Sequence, residues 1–233
     1  MKNITKEFEI LNQWLGWGDP YEGLWFIGIE EGGTWGCETP EEIEKSRVTI
    51  QNFSGKRFIS YPSKEDRGNL NWPVANVTAK ICSLVTRLNI NWEEYRENRL
   101  WLEGSKIFNG NLMPVGKHSL KLKDWPECYS KLFGLTREEY HSYYNYIKQS
   151  RYKLFADCIK EYKPQAVVCY GKAYWNDFEE VFVNEDEAME YNDFKTRIYE
   201  KSKVILTRHF SHGMPDKTVR FIANQLIKWH IYI

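Results

Sequence analysis

The sequence predicts an α/β protein of three α/β/α layers, with a central, mostly parallel sheet of four to five strands. Three observations carry this expectation. Short, continuous apolar runs rich in β-branched residues recur along the chain, as in strands buried on both faces. Between them lie longer segments with apolar residues at helical spacing. Proline, glycine and capping residues mark the junctions.

Each element follows from a local signal. Ile4, Phe8, Leu11 and Leu15 recur at helical spacing, so the chain opens with an amphipathic helix ending near Gly16. Leu24 to Ile29 is an apolar run bounded by glycine and reads as a buried strand. Thr39-Pro40-Glu41-Glu42 is a capping box with proline at the first helical position. Val74, Val77, Ile81, Leu84, Val85 and Leu88 form a helical stripe. Lys106 to Val115 reads as a strand broken by Gly110. Thr136-Arg137-Glu138-Glu139 caps a long helix that reaches about Tyr162 and is stopped by Pro164. Gln165 to Tyr170 is the next buried strand, and Lys172 to Phe182 reads as helix. Thr196 to Tyr199 suits an edge strand, and Lys203 to Thr207 a strand with a buried centre. Val219, Ile222, Ala223, Leu226 and Trp229 give the last helix.

Composition excludes several classes. The 233 residues carry 32 Lys+Arg against 32 Asp+Glu, and 42% are hydrophobic with 16% aromatic, which is not the composition of a disordered chain. No apolar run approaches the length of a membrane span, and the acidic first turn with Glu7 and Glu9 is not a signal peptide. A single domain over 1–233 is expected, monomeric, with an aromatic-rich insertion around 36–102. The five cysteines, Cys37, Cys82, Cys128, Cys158 and Cys169, are odd in number and none are spaced as CxxC. The expectation is therefore buried thiols rather than a disulfide framework or a cluster, and a reducing cytoplasm. No metal-ligand grouping stands out, so neither metal nor cofactor is expected.

In parallel sheets ligands bind beyond the carboxyl ends of the strands, so those ends hold the candidate site. After the first strand comes Gly28-Ile29-Glu30-Glu31-Gly32-Gly33-Thr34-Trp35. Two carboxylates among glycines suit base catalysis, water orientation or stabilisation of a cationic transition state, and an acidic solvated turn is the plain alternative. The second strand ends in Asn109-Gly110-Asn111-Leu112-Met113-Pro114, where an amide can read a base edge or simply form a turn. Gly171-Lys172 opens a helix where an anion could rest. Arg208-His209-Phe210-Ser211-His212-Gly213-Met214-Pro215 packs two histidines into one loop before the last helix. Lys201, Lys203, Arg208, Lys217 and Arg220 surround that loop, and Lys117, His118, Lys121 and Lys123 form a second basic stretch. Both fit a phosphate-bearing ligand.

The ordered set of these motifs resembles the uracil-DNA glycosylase superfamily. Gly28-Ile29-Glu30-Glu31-Gly32 is similar to its first motif, His209-Phe210-Ser211 to its last, and Asn111-Leu112-Met113-Pro114 to its strand-end asparagine and proline. Pro164-Gln165-Ala166-Val167-Val168-Cys169-Tyr170-Gly171-Lys172 matches a further family pattern. Glu31 stands where the family has proline, and Phe210 replaces the proline of the last motif. The resemblance implies an α/β/α glycosylase fold and DNA, double- or single-stranded, as partner. It places Glu30, with Glu31 as its neighbour, as the water-activating carboxylate and His209 as the donor to the departing base. Asn111 would read the base, Trp35 would stack on it, and Gly28 and Gly32 would let backbone approach. Lys172, Ser211, His212, Lys217 and Arg220 would hold phosphates, and Met214 would fill the gap left by a flipped nucleotide. The acidic motif and the aromatic insertion point to an enlarged pocket for a modified or damaged base, such as a modified pyrimidine in phage DNA. The loops at Gly28–Trp35 and Arg208–Pro215 are expected at one edge of the sheet. Two other readings share this scaffold: an inert nucleic-acid-binding module, and an N-glycosidic hydrolase or transferase of free nucleosides. Steep salt dependence separates a polymer ligand from a nucleoside.

Overall fold

The computed structural model of the chain describes residues 4–30, 33–117 and 124–233. In chain order the elements are α1 (Lys6–Gln13), β1 (Gly16–Gly18), β2 (Leu24–Gly28), α2 (Pro40–Gln51), β3 (Phe58–Ile59), α3 (Lys64–Arg67), α4 (Pro73–Val85), α5 (Trp92–Asn98) and β4 (Ile107–Asn111). They continue with α6 (Tyr129–Phe133), α7 (Arg137–Tyr162), β5 (Ala166–Tyr170), α8 (Trp175–Phe182), β6 (Met189–Tyr191), β7 (Thr196–Tyr199), β8 (Val204–Thr207) and α9 (Asp216–Lys228). None of the described helices is long and apolar enough to cross a membrane.

The fold is α/β, built on one eight-stranded sheet in the order β3-β1-β4-β2-β5-β8-β7-β6. The sheet is larger than the four to five strands expected, and it is mixed. β2, β5 and β8 run parallel, Leu24 aligning with Ala166 and Val167 with Val204. β8, β7 and β6 are antiparallel. The extra strands left no pattern to read: β1 is Gly-Trp-Gly, β3 has two residues, and β6 carries exposed Met189 and Glu190. Thr196–Tyr199 is not the edge, because β6 covers it. Arg197 of β7 is joined to Glu190 of β6 at 2.8 Å, and this charged pair blunts the true edge. The strand expected over 106–115 stops at Asn111, before the turn that holds Pro114.

The chain divides into two compact units, each discontinuous in sequence. The expected insertion is divided between them, 36–58 in one and 59–102 in the other.

The larger unit comprises Trp17–Gly28, Ile59–Gly110 and Ala156–Ile233. Here α4 and α9 bury Val77, Ile81, Ile222 and Leu226 with Phe26 and Val168 of the sheet, all almost inaccessible. Of the expected stripe, Val77, Ile81 and Val85 form this buried face, whereas Leu84 is exposed and Leu88 lies beyond the helix end; Pro73 begins the helix where its missing N–H costs nothing. Trp25 and Phe108, 5.1 Å apart, pack together with Tyr162 near Trp25. Gly23 is required where β2 starts. Leu24 N–H donates to the Lys106 carbonyl at 2.8 Å, and a Cβ on Gly23 would lie 2.1 Å from that same oxygen.

The smaller unit comprises Met1–Gly16, Ile29–Phe58 and Asn111–Phe155. Thr5 caps α1 and also donates its hydroxyl to the Leu132 carbonyl at 2.9 Å. The expected capping box at Thr39 is present, Glu42 N–H to Thr39 Oγ1 and Thr39 N–H to Glu42 Oε2 both at 3.2 Å. Thr136 and Glu139 form the same reciprocal pair before α7.

One cysteine expectation is overturned in this unit. Cys37 and Cys128 form a disulfide across 91 residues of sequence, while Cys82, Cys158 and Cys169 are buried thiols as expected. Spacing could not show the pair, because a bridge records proximity in the fold and not in the chain. Disulfides persist in oxidising surroundings, so the cysteines no longer argue for a reducing compartment. Reduction of this bridge, which closes a long loop, is expected to lower stability by about 2–4 kcal/mol. Denaturant midpoints of the oxidised and reduced protein measure the loss. Coincident midpoints, or five free thiols in the unfolded unreduced protein, would sink the assignment.

Candidate active site

The smaller unit holds the candidates Glu30, Trp35 and Asn111. Glu30 stands two residues beyond the end of β2, with a side chain only 6% exposed. Lys117, 2% exposed, donates from Nζ to Glu30 Oε2 at 2.7 Å. The other oxygen, Oε1, is buried and has no hydrogen-bond partner among the described residues. Burial pushes the Glu30 carboxyl above the usual carboxylate range, and the charge and hydrogen bond of Lys117 pull it back. Glu31 and Gly32 lie outside the described residues, as do His118, Lys121 and Lys123.

Neighbouring contacts hold this pair in place. Met113 N–H donates to the Ile29 carbonyl at 2.6 Å, tying down the residue before Glu30. The Tyr129 hydroxyl donates to the Gly116 carbonyl at 2.8 Å, one residue before Lys117, and accepts from Trp35 N–H at 2.9 Å. The disulfide lies beside both ends of that link, Cys37 two residues after Trp35 and Cys128 just before Tyr129. Ser46 donates to the Gly36 carbonyl at 2.7 Å. The indole of Trp35 is half-buried, edge-on to Phe53 at 6.5 Å. Asn111 is half-buried, and its backbone is occupied: its N–H donates to the Leu15 carbonyl and its own carbonyl accepts from Arg151.

The larger unit carries the other candidates at the carboxyl edge of the sheet. The chain leaves β2 for β4 on one side and returns to β5 on the other, so the order reverses between β2 and β5, where α/β sheets bind ligands. Gly28 ends β2 and Thr207 ends β8, with β5 between, so these two ends share an edge about 10 Å apart. At the end of β5, Gly171 takes φ +138°, a conformation that favours glycine, and donates to the Thr207 carbonyl at 3.0 Å.

His209 is half-buried and meets the Tyr170 ring edge-on at 5.5 Å. Its Nδ1 accepts from Ser211 N–H at 3.0 Å and lies 2.8 Å from Ser211 Oγ. A backbone N–H can only donate, so Nδ1 is an acceptor and the neutral ring carries its proton on Nε2. Phe210 stacks on Tyr170 at 4.3 Å and helps fasten the loop. Lys172, Ser211, Lys217 and Arg220 are exposed. The Lys172 ammonium lies 5.6 Å from the Trp175 ring, and that of Lys217 lies 6.0 Å from the Phe194 ring. Met214 is 8% exposed and belongs to the apolar core with Phe210 and Val219, so it does not stand out from the surface as a wedge would. Of His212, only its place in a short helical turn, Phe210–His212, is described.

Of two further site residues, sequence reasoning missed the pairing of one and passed over the other, Asn109, in favour of Asn111. Lys117 read as one of a run of surface cations, and only its pairing shows otherwise. Asn109, 6% exposed, donates from Nδ2 to the Tyr170 hydroxyl at 3.3 Å, while its Oδ1 is buried without a partner among the described residues. The signal was present in Ile107-Phe108-Asn109, an amide inside an apolar strand rather than at its end.

The smaller unit thus offers a buried carboxylate with one oxygen held and one open to a donor. The larger offers an imidazole Nε2–H donor and a buried amide, each in contact with Tyr170. No family model matches the chain, and no curated protein does.

Proposed function

We propose that the protein is a DNA glycosylase that hydrolyses the N-glycosidic bond of a modified or damaged base and leaves an abasic site. The scaffold we infer is the three-layer α/β/α arrangement of the uracil-DNA glycosylase superfamily, enlarged by antiparallel strands. The observation that carries the reading is the state of Glu30. A carboxylate beyond a parallel strand, buried, with Oε1 lacking a partner among the described residues, suits a group that accepts a hydrogen bond from an attacking water. Its charge also favours the oxocarbenium-like sugar of the transition state.

The larger unit carries a group suited by itself to a departing base, His209. The base leaves as an anion or near-anion, and a neutral Nε2–H donates to it without first losing a proton. In the same unit Asn109 supplies an amide for the base edge, and Lys172, Ser211, Lys217 and Arg220 supply phosphate contacts. Modified pyrimidines, including those of phage DNA, are the substrate class that the acidic motif favours.

Duplex and single-stranded DNAs carrying different bases, scored for abasic sites, test the reading, and a panel without any abasic product would end it. His209→Ala is expected to slow base release by about 10²-fold, the effect of removing a single donor to a developing anion. Single-turnover rates check this, and an unchanged rate would remove His209 from the chemistry.

A further inference from the structure

We propose that Lys117 is a positioning residue for the Glu30 carboxylate, holding Oε2 so that Oε1 faces the attacking water. The inference rests on the glycosylase reading and extends it to a residue that touches neither base nor sugar.

Geometry is the first ground. The 2.7 Å separation is that of a charge-assisted hydrogen bond, and both side chains are almost wholly buried. One bond from a buried ammonium leaves the carboxylate little rotational freedom, and its second oxygen remains without a partner among the described residues.

The second ground is that stability accounts poorly for such a pair. A buried ion pair is often no more stable than a well-packed apolar replacement, and this one is only half satisfied. A polar pair kept in that condition is better explained by a ligand that completes it. The anchoring of Lys117 agrees. The carbonyl just before it accepts from Tyr129, which is held in turn by Trp35 and lies next to the Cys37–Cys128 bridge.

The third ground is charge. Desolvation works against the ionised carboxylate, and Lys117 is the charged group among the described residues that opposes it. Without Lys117, Glu30 would hold its proton to a higher pH.

Lys117→Met tests this in two ways. In the free protein, ¹³C-labelled glutamate with Glu30 assigned by Glu30→Gln gives the carboxyl titration directly. It is expected to move upward by roughly one to three pH units, the effect of losing an opposite charge in contact. In the reaction, the acid limb of the pH–rate profile should move the same way. At neutral pH kcat should fall while KM for DNA stays near the wild-type value. Should Lys117→Met not fold, Lys117→Gln keeps a donor and removes the charge, and the same upward shift is expected. A Glu30 titration unmoved in a protein that still releases base would overturn the proposal alone. A shifted titration in a protein that releases no base from any DNA would overturn the glycosylase reading beneath it.

Discussion

Glu30→Gln is expected to lower the rate of base release by about 10²–10³-fold while leaving DNA affinity close to wild type. Glutamine has nearly the same shape and can still accept a hydrogen bond. What it lacks is negative charge, which matters most when the sugar becomes cationic, so the loss should fall on kcat rather than KM. The substitution also leaves the Lys117 ammonium, 2% exposed, without its anion, so melting curves must show that the variant is folded. Stability against pH offers an independent check. Burial raises the Glu30 carboxyl above its ordinary value, so the folded state holds this proton more tightly than the unfolded chain does. The resulting contribution to stability is full below the ordinary carboxylate value and is lost as pH rises through the raised folded value. Glu30→Gln should flatten the curve in that window. The charged form that the proposed mechanism needs is thus the form that folding disfavours. A near-normal rate in Glu30→Gln with an inactive Glu31→Gln would move the role one residue along. A normal rate in both would remove the mechanism.

How far the sequence could be read depended on whether a signal was local. The stripe from Val74, the boxes at Thr39 and Thr136 and the stop at Pro164 each lie within a few residues, and each marks an element that is present. The apolar runs at 24–28, 166–170 and 204–207 are strands because residues buried on both faces leave no polar alternation. β1, β3 and β6 were not legible, since a strand of two or three residues owes its form to the neighbour it pairs with. The site divides the same way. Its strand-end position made Glu30 a candidate, but the partner that restrains it is 87 residues away. The disulfide is a non-local pairing of the same kind. Asn111 drew attention by standing at the end of a strand, yet it is Asn109, inside the strand, whose amide is buried and half satisfied.

Arg151→Met is expected to destabilise the protein by about 3–5 kcal/mol. Arg151, on the long helix α7, is 1% exposed. Its guanidinium donates from Nε to the Leu112 carbonyl at 3.0 Å and from one terminal nitrogen to Asn12 and Trp14, both at 2.8 Å. The other terminal nitrogen donates to Asn111 at 2.7 Å. Four backbone carbonyls from two distant segments thus converge on one planar fork, and methionine would leave all four without their donor. Lysine has three donors on a single atom and cannot span the same set, so Arg151→Lys should also lose roughly 2 kcal/mol or more. The consequence reaches the site. Asn111 and Leu112, held by Arg151, lead directly to Met113, whose N–H fixes the Ile29 carbonyl just before Glu30. Arg151→Lys, if folded, should therefore release base more slowly than wild type although its side chain contacts no substrate. Urea midpoints and single-turnover rates measure the two effects separately. A midpoint for Arg151→Met corresponding to a loss below about 1 kcal/mol would show that the carbonyls find other donors, and the guanidinium would not then be what joins 12–14 to 111–112.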